Sequence, residues 1–117
     1  MTAALLASRR CQAVLPAATP DDLARMLSLL PAWTVQEGKL VSSFSFKDHY
    51  ETLAFVNALA WVSHAEDHHP ELTVTYNRCV ARYDTHSVNG GQGGLSDNDF
   101  ICAARVDAIY DQRVARA

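Results

Sequence analysis

From Lys47 to Glu66 the chain carries neither proline nor glycine, and Leu53, Phe55, Val56, Leu59 and Val62 give that stretch a broad apolar side with Trp61 beside it. An unbroken run of this length and spacing folds as one helix. Pro70 disfavours helical backbone at His69, so the helix stops at or before His68. What flanks the helix narrows the fold further. Before it, Trp33 to Gln36 and Lys39 to Phe46 alternate around Glu37-Gly38, with Leu40, Phe44 and Phe46 on one face and Ser43 and Ser45 on the other. After it, Leu72 to Tyr76 and Cys79 to Asp84 alternate in the same way around Asn77-Arg78. Period-two alternation marks strands with one buried face, and each pair reads as a hairpin.

A helix lies at either end of this pattern. Thr19-Pro20-Asp21-Asp22 supplies a cap, a first-turn proline and early acids, and Leu23, Met26, Leu27 and Leu30 follow on one face until Pro31. Ser96 with Asp99 three residues on is a capping box for a last helix running to about Gln112, with Cys102, Val106 and Ile109 on one side. The order α-ββ-α-ββ-α predicts an α+β domain, an antiparallel sheet with helices packed on one face. It spans residues 19–112, after a loosely held arm (1–18) and before a frayed tail (113–117).

Composition removes several function classes. At 117 residues there is room for one domain, and 49% hydrophobic with 20% charged residues is a globular balance. A net charge of -3 argues against a surface built to grip nucleic acid, and no apolar run is long enough to cross a membrane. Arg9 and Arg10 follow the short N-terminal apolar piece, the reverse of a secretory signal. Cys11, Cys79 and Cys102 share no metal-type spacing and are odd in number, so they read as structural thiols in a reducing, cytoplasmic setting.

The chemistry concentrates in His64-Ala-Glu-Asp-His68-His69-Pro70-Glu71. Three readings compete. The histidines can be exposed groups at a helix C-terminus, where positive charge complements the dipole. His64 and His68, four apart on one helical face, can be metal ligands that need a third partner elsewhere. Or the cluster can perform acid–base catalysis without metal, since imidazoles exchange protons near neutrality. A hairpin favours the third: it returns the chain, so His86 in Asp84-Thr85-His86-Ser87 can meet His68 and His69. His49 has no such partner and reads as an ordinary exposed histidine.

Asp67-His68-His69-Pro70-Glu71, Tyr76-Asn77, Thr85-His86 and Gly94-Leu95-Ser96 with Asp99, together with the Phe44-Ser-Phe46-Lys47-Asp48 lead into the long helix, resemble pterin-4a-carbinolamine dehydratase over roughly residues 20–112. The resemblance implies a four-stranded antiparallel sheet within α-ββ-α-ββ-α. It implies an enzyme that dehydrates 4a-hydroxytetrahydropterin to quinonoid dihydropterin, needs no cofactor or metal, and serves the recycling of the pterin used by aromatic amino acid hydroxylases. The family's three active-site histidines fall on His68, His69 and His86. Its pterin-contacting segments fall on Asp67-His68-His69 and Asp84-Thr85-His86-Ser87, with Pro70, Asp99 and His64 in supporting places. Asp99 reads first as the cap partner of Ser96, with an indirect hold on His86 or its loop. Assembly into homodimers or homotetramers is also implied, and some relatives act instead as dimerisation partners of a transcription factor. The chain departs from the family at His64, where many members have Glu, at Leu72, aromatic in some, and in Asn89–Gly94, a longer loop that reads as a tolerated insertion or a lid.

Overall fold

The computed structural model describes residues 1–112. The elements in chain order are α1 (Ala3–Ala7), α2 (Pro20–Leu29), β1 (Thr34–Gln36), β2 (Lys39–Ser45), α3 (His49–Glu66), β3 (Glu71–Val74), β4 (Arg78–Tyr83), a 3₁₀ turn at Asn89–Gly91 and α4 (Asp97–Gln112). The four strands form one antiparallel sheet in the order β1-β2-β4-β3. Local chemistry sets the boundaries. The Thr19 hydroxyl accepts from the Asp22 amide at 3.2 Å to open α2, and the Asp48 carboxylate accepts from the Glu51 amide at 2.9 Å to open α3. Such caps satisfy amides that the helix itself leaves unpaired. The β1–β2 turn places Glu37 and Gly38 at φ 51° and 77°, the left-handed pair that a two-residue hairpin turn requires.

The alternation read from the sequence fixes the sheet's inner face. Leu40 and Phe44 of β2 lie beside Cys79, Ala81 and Tyr83 of β4, all buried, and Phe55 and Leu59 of α3 cover them. Phe44 packs against Phe55 at 4.9 Å and edge-on to Trp33 at 5.8 Å between ring centroids. Each fully buried side chain of this size contributes about 1.5–3 kcal/mol. Leu53, expected on the apolar side of α3, is instead exposed, as is Trp61. The helix meets the sheet through a narrower stripe that includes Thr52 and Ser63.

The N-terminal segment corrects the expectation of a loosely held arm. Leu6 is fully buried in the core. The Arg105 guanidinium donates to the carbonyls of Ala7 at 3.0 Å and Arg9 at 3.1 Å. Glu66 accepts from the Arg10 side chain and the Cys11 amide, each at 2.7 Å, and the Gln12 backbone is paired twice with the Asn98 side chain. A five-residue helix shows no period, and its anchors lie far along the chain, so nothing local announced it. Its presence explains why α4 is buried without a break from Asn98 to Ala104: α1 covers one side and the sheet and α3 the others. Residues 113–117, read as a frayed tail, lie outside the described residues. Among the described residues no helix is long and apolar enough to cross a membrane.

Candidate active site

The β3–β4 ladder assembles the site. Its register runs from Val74 opposite Cys79 to Glu71 opposite Arg82. The segments just before β3 and just after β4 therefore emerge side by side, carrying Asp67-His68-His69 and Asp84-Thr85-His86-Ser87. Asp67, in left-handed backbone at φ 51°, ends α3 and turns the chain toward the sheet, and the His68 amide still donates to the Ser63 carbonyl at 3.3 Å. Beyond β4, the Thr85 amide donates to Gly94 at 2.8 Å, which brings the start of α4 under the site.

These seven residues line one cleft of about 590 Å³. That lies inside the roughly 300–1,000 Å³ typical of small-molecule sites. The three imidazoles differ in their surroundings. The His68 side chain is 12% exposed; its ring stacks on Tyr83 at 5.7 Å, with Nε2 2.6 Å from Asp99 Oδ1. Asp99 is wholly buried, and its second oxygen accepts from the Thr85 hydroxyl and the Ser96 amide, both at 2.9 Å. With the carboxylate accepting, Nε2 carries the hydrogen and Nδ1 is the basic nitrogen. Burial works to lower the His68 pKa, but the hydrogen bond and charge of Asp99 outweigh it and hold the pKa above its usual value. His86 stands at the rim, 88% exposed, with Nε2 3.8 Å from Asp84 Oδ1. His69 is exposed and makes no hydrogen bond among the described residues. The cleft thus combines an anchored, partly dehydrated imidazole with two that face solvent.

One supporting placement gains a partner and one changes. Asp99 keeps the expected bond to the Ser96 amide and, through the Thr85 hydroxyl, a hold on the segment that carries His86; it also binds His68 directly. His64 lies on another surface, exposed and edge-on to Trp61 at 6.4 Å, because it points off α3 away from the hairpin end. Pro70 leads into β3 and does not line the cleft. The Asn89–Gly94 loop folds on itself, the Asn89 side chain donating to the Gly93 carbonyl at 3.0 Å, and contributes no cleft wall. Among the described residues no group of three or more His, Cys, Asp or Glu side chains is arranged to hold a metal ion.

A family model described as pterin 4 alpha carbinolamine dehydratase matches residues 16–109. The chain belongs to that dehydratase family. A protein of Bdellovibrio bacteriovorus, provisionally named pterin-4-alpha-carbinolamine dehydratase, is 52% identical over 99 residues, 85% of this chain and 82% of that protein. One of Xanthomonas oryzae pv. oryzae with the same provisional name is 54% identical over 94 residues, 79% of this chain and 76% of its own. The crystal structure of a transcriptional coactivator/pterin dehydratase from Brucella melitensis superposes with a TM-score of 0.72 at 29% identity, covering 80% of this chain and 98% of that one.

His68, His69, His86 and Asp99 all fall within the span matched by the dehydratase model, whereas Cys11 precedes it. Cys11, Gln12 and Leu15 nevertheless form one wall of the cleft, with Asn98 and Glu66 behind them. Sequence reasoning missed this wall. Glu66 was visible only as one of several acids near the histidines; here its carboxylate binds the Arg10 and Arg105 guanidiniums and the Cys11 amide. Burial pushes its pKa up, and those three donors more than reverse the effect.

Proposed function

We propose that this protein dehydrates 4a-hydroxytetrahydropterin to quinonoid dihydropterin, with His68 and His86 as proton carriers and His69 binding and orienting the substrate. The observation that carries the reading is the convergence of the three imidazoles on one cleft, one of them anchored by a buried carboxylate. The reaction breaks the C4a–O bond, forms the C4a–N5 double bond, and releases the N5 proton and water. It needs a proton donated to the departing oxygen and a base for N5–H. Two imidazoles can serve both tasks, because this side chain exchanges protons near neutrality, each task worth about 10²–10⁴-fold. Asp99 fixes the His68 tautomer and stabilises its imidazolium when Nδ1 takes a proton. The backbone of 67–69 and 84–87 offers amide and carbonyl groups to the edge of a flat heterocycle. In this reading no metal or organic cofactor takes part, and the enzyme works in the cytoplasm as a homo-oligomer, in pterin recycling for an aromatic amino acid hydroxylase.

The test is a stopped-flow assay on enzymatically generated 4a-hydroxytetrahydropterin. His68→Ala and His86→Ala each lose about 10²-fold or more in kcat, while His69→Ala raises KM. Folded variants that all retain full turnover would defeat the proposal.

A further inference from the structure

The dehydration uses no thiol, yet two cysteine sulfurs meet at the cleft. Cys11 Sγ lies 3.6 Å from Cys102 Sγ and 3.7 Å from the Asn98 carbonyl. Cys11 is half-buried and lines the cleft, so a small solute can reach it; Cys102 on α4 is fully buried behind it. One accessible and one hidden thiol in contact is the arrangement of an attacking and a resolving cysteine. We propose that Cys11 and Cys102 form a peroxide-reactive dithiol pair, which a hydroperoxide converts reversibly into a disulfide across the wall of the cleft.

Three further features support the assignment. The backbone of Cys11 is fixed, because its amide donates to Glu66 and the next residue is paired with Asn98, so the two sulfurs are held in place. The Cys102 thiol donating to it holds the Cys11 pKa below its usual value, helped by His68 and Arg105 and opposed by burial and Glu66. Cys79, the remaining cysteine, is buried under the sheet, where burial pushes its pKa up, and it stays inert. The chemistry balances. The Cys11 thiolate attacks one peroxide oxygen, the O–O bond breaks, and the departing oxide takes a proton as alcohol or water. The Cys102 sulfur then attacks the resulting sulfenic acid, giving up its proton; the S–O bond breaks, the S–S bond forms and water leaves. The two thiols lose two electrons, and the peroxide gains them. Closing from 3.6 Å to a bond of about 2.05 Å brings the two sulfurs about 1.5 Å closer together, one turn beyond Asp99.

The experiment uses the full chain and hydrogen peroxide, followed by thiol counting in denaturant and intact mass. Free thiols should fall from three to one. The mass should drop by two hydrogens with no oxygen added, a non-reducing peptide map should join the Cys11 and Cys102 peptides, and dithiothreitol should restore all thiols. In Cys102→Ala, dimedone should trap a sulfenic acid on Cys11. Cys11→Ala, changed at a half-buried position, should keep both remaining thiols under the same treatment. Over-oxidation of Cys11 beside a free Cys102, no loss of thiols, or linkage through Cys79 would each overturn the proposal. This readout is independent of dehydratase activity.

Discussion

Replacing Asp99 by Asn tests the anchored imidazole most directly. The change is nearly isosteric, but it removes the charge that His68 Nε2 faces at 2.6 Å and weakens the two 2.9 Å bonds on the other oxygen. Hydrogen bonds to a charged, buried group are worth about 1.5–3 kcal/mol each, and an amide retains part of them. A net cost of about 2–4 kcal/mol follows, or roughly 8–16 °C in Tm at about 4 °C per kcal/mol for a domain of this size. The pKa argument gives a sharper sign. In the native protein burial works to lower the His68 pKa and Asp99 overrides it, helped by the charges of Cys11 and Asp84; without the Asp99 charge burial meets only those two, and the pKa falls from its raised native value. A group whose folded pKa is raised stabilises the fold fully below its unfolded pKa and loses that contribution as pH rises through the folded value. The stability gap between native and Asp99→Asn proteins is therefore largest below about pH 6.5 and narrows as pH rises through the raised native value. Titration of the His68 ring proton by NMR in both proteins decides the matter. The variant's midpoint should lie below the native one, and the limb of the pH–rate profile that His68 controls should move toward acid. Identical midpoints would refute the claim that this carboxylate governs the imidazole.

Other perturbations probe the parts around the site. Glu66→Gln leaves the Arg10 and Arg105 guanidiniums without their anion and should cost about 3 kcal/mol at neutral pH. Because the folded pKa of Glu66 is lowered, its contribution is present above the unfolded value of about 4.3 and lost as pH falls through the folded one. Thermal melts of the two proteins should converge in acid, and parallel curves would contradict the assignment. Leu6→Ala empties a fully buried site and should cost about 3 kcal/mol; trypsin should then cut at Arg9 or Arg10 faster than in the native chain. His64→Ala should leave kcat/KM within about twofold, since its ring lies off the cleft; a larger loss would return His64 to the site.

What the sequence disclosed depended on how far apart the partners lie. The caps at Thr19 and Asp48 act over three residues, and the strand faces of β2 and β4 repeat every two, so composition and period reveal them. The meeting of His86 with His68 and His69 was legible because a hairpin is the simplest long-range geometry: its ends must come together. No such rule couples α1 to α4 or Glu66 to Arg10. Those contacts join segments separated by about half of the chain or more, and a five-residue helix has too few turns to show an apolar face. Asp99 carried a local signal as a capping partner, and that signal concealed its second role. Which imidazole its other oxygen would meet depends on the angle at which α4 crosses the hairpin, and no local pattern encodes that angle.

The β3–β4 ladder acts as a ruler. Each rung advances the chain about 3.4 Å and turns the side chain to the opposite face, so the spacing between the paired histidines and the single one is set in whole residues from Glu71 to Tyr83. Substitutions along this stretch can be absorbed, whereas inserting or deleting one residue would carry an imidazole to the wrong side of the sheet. Past Ser87 the ruler ends. Length can change more freely there, and four of the chain's five glycines lie in that stretch.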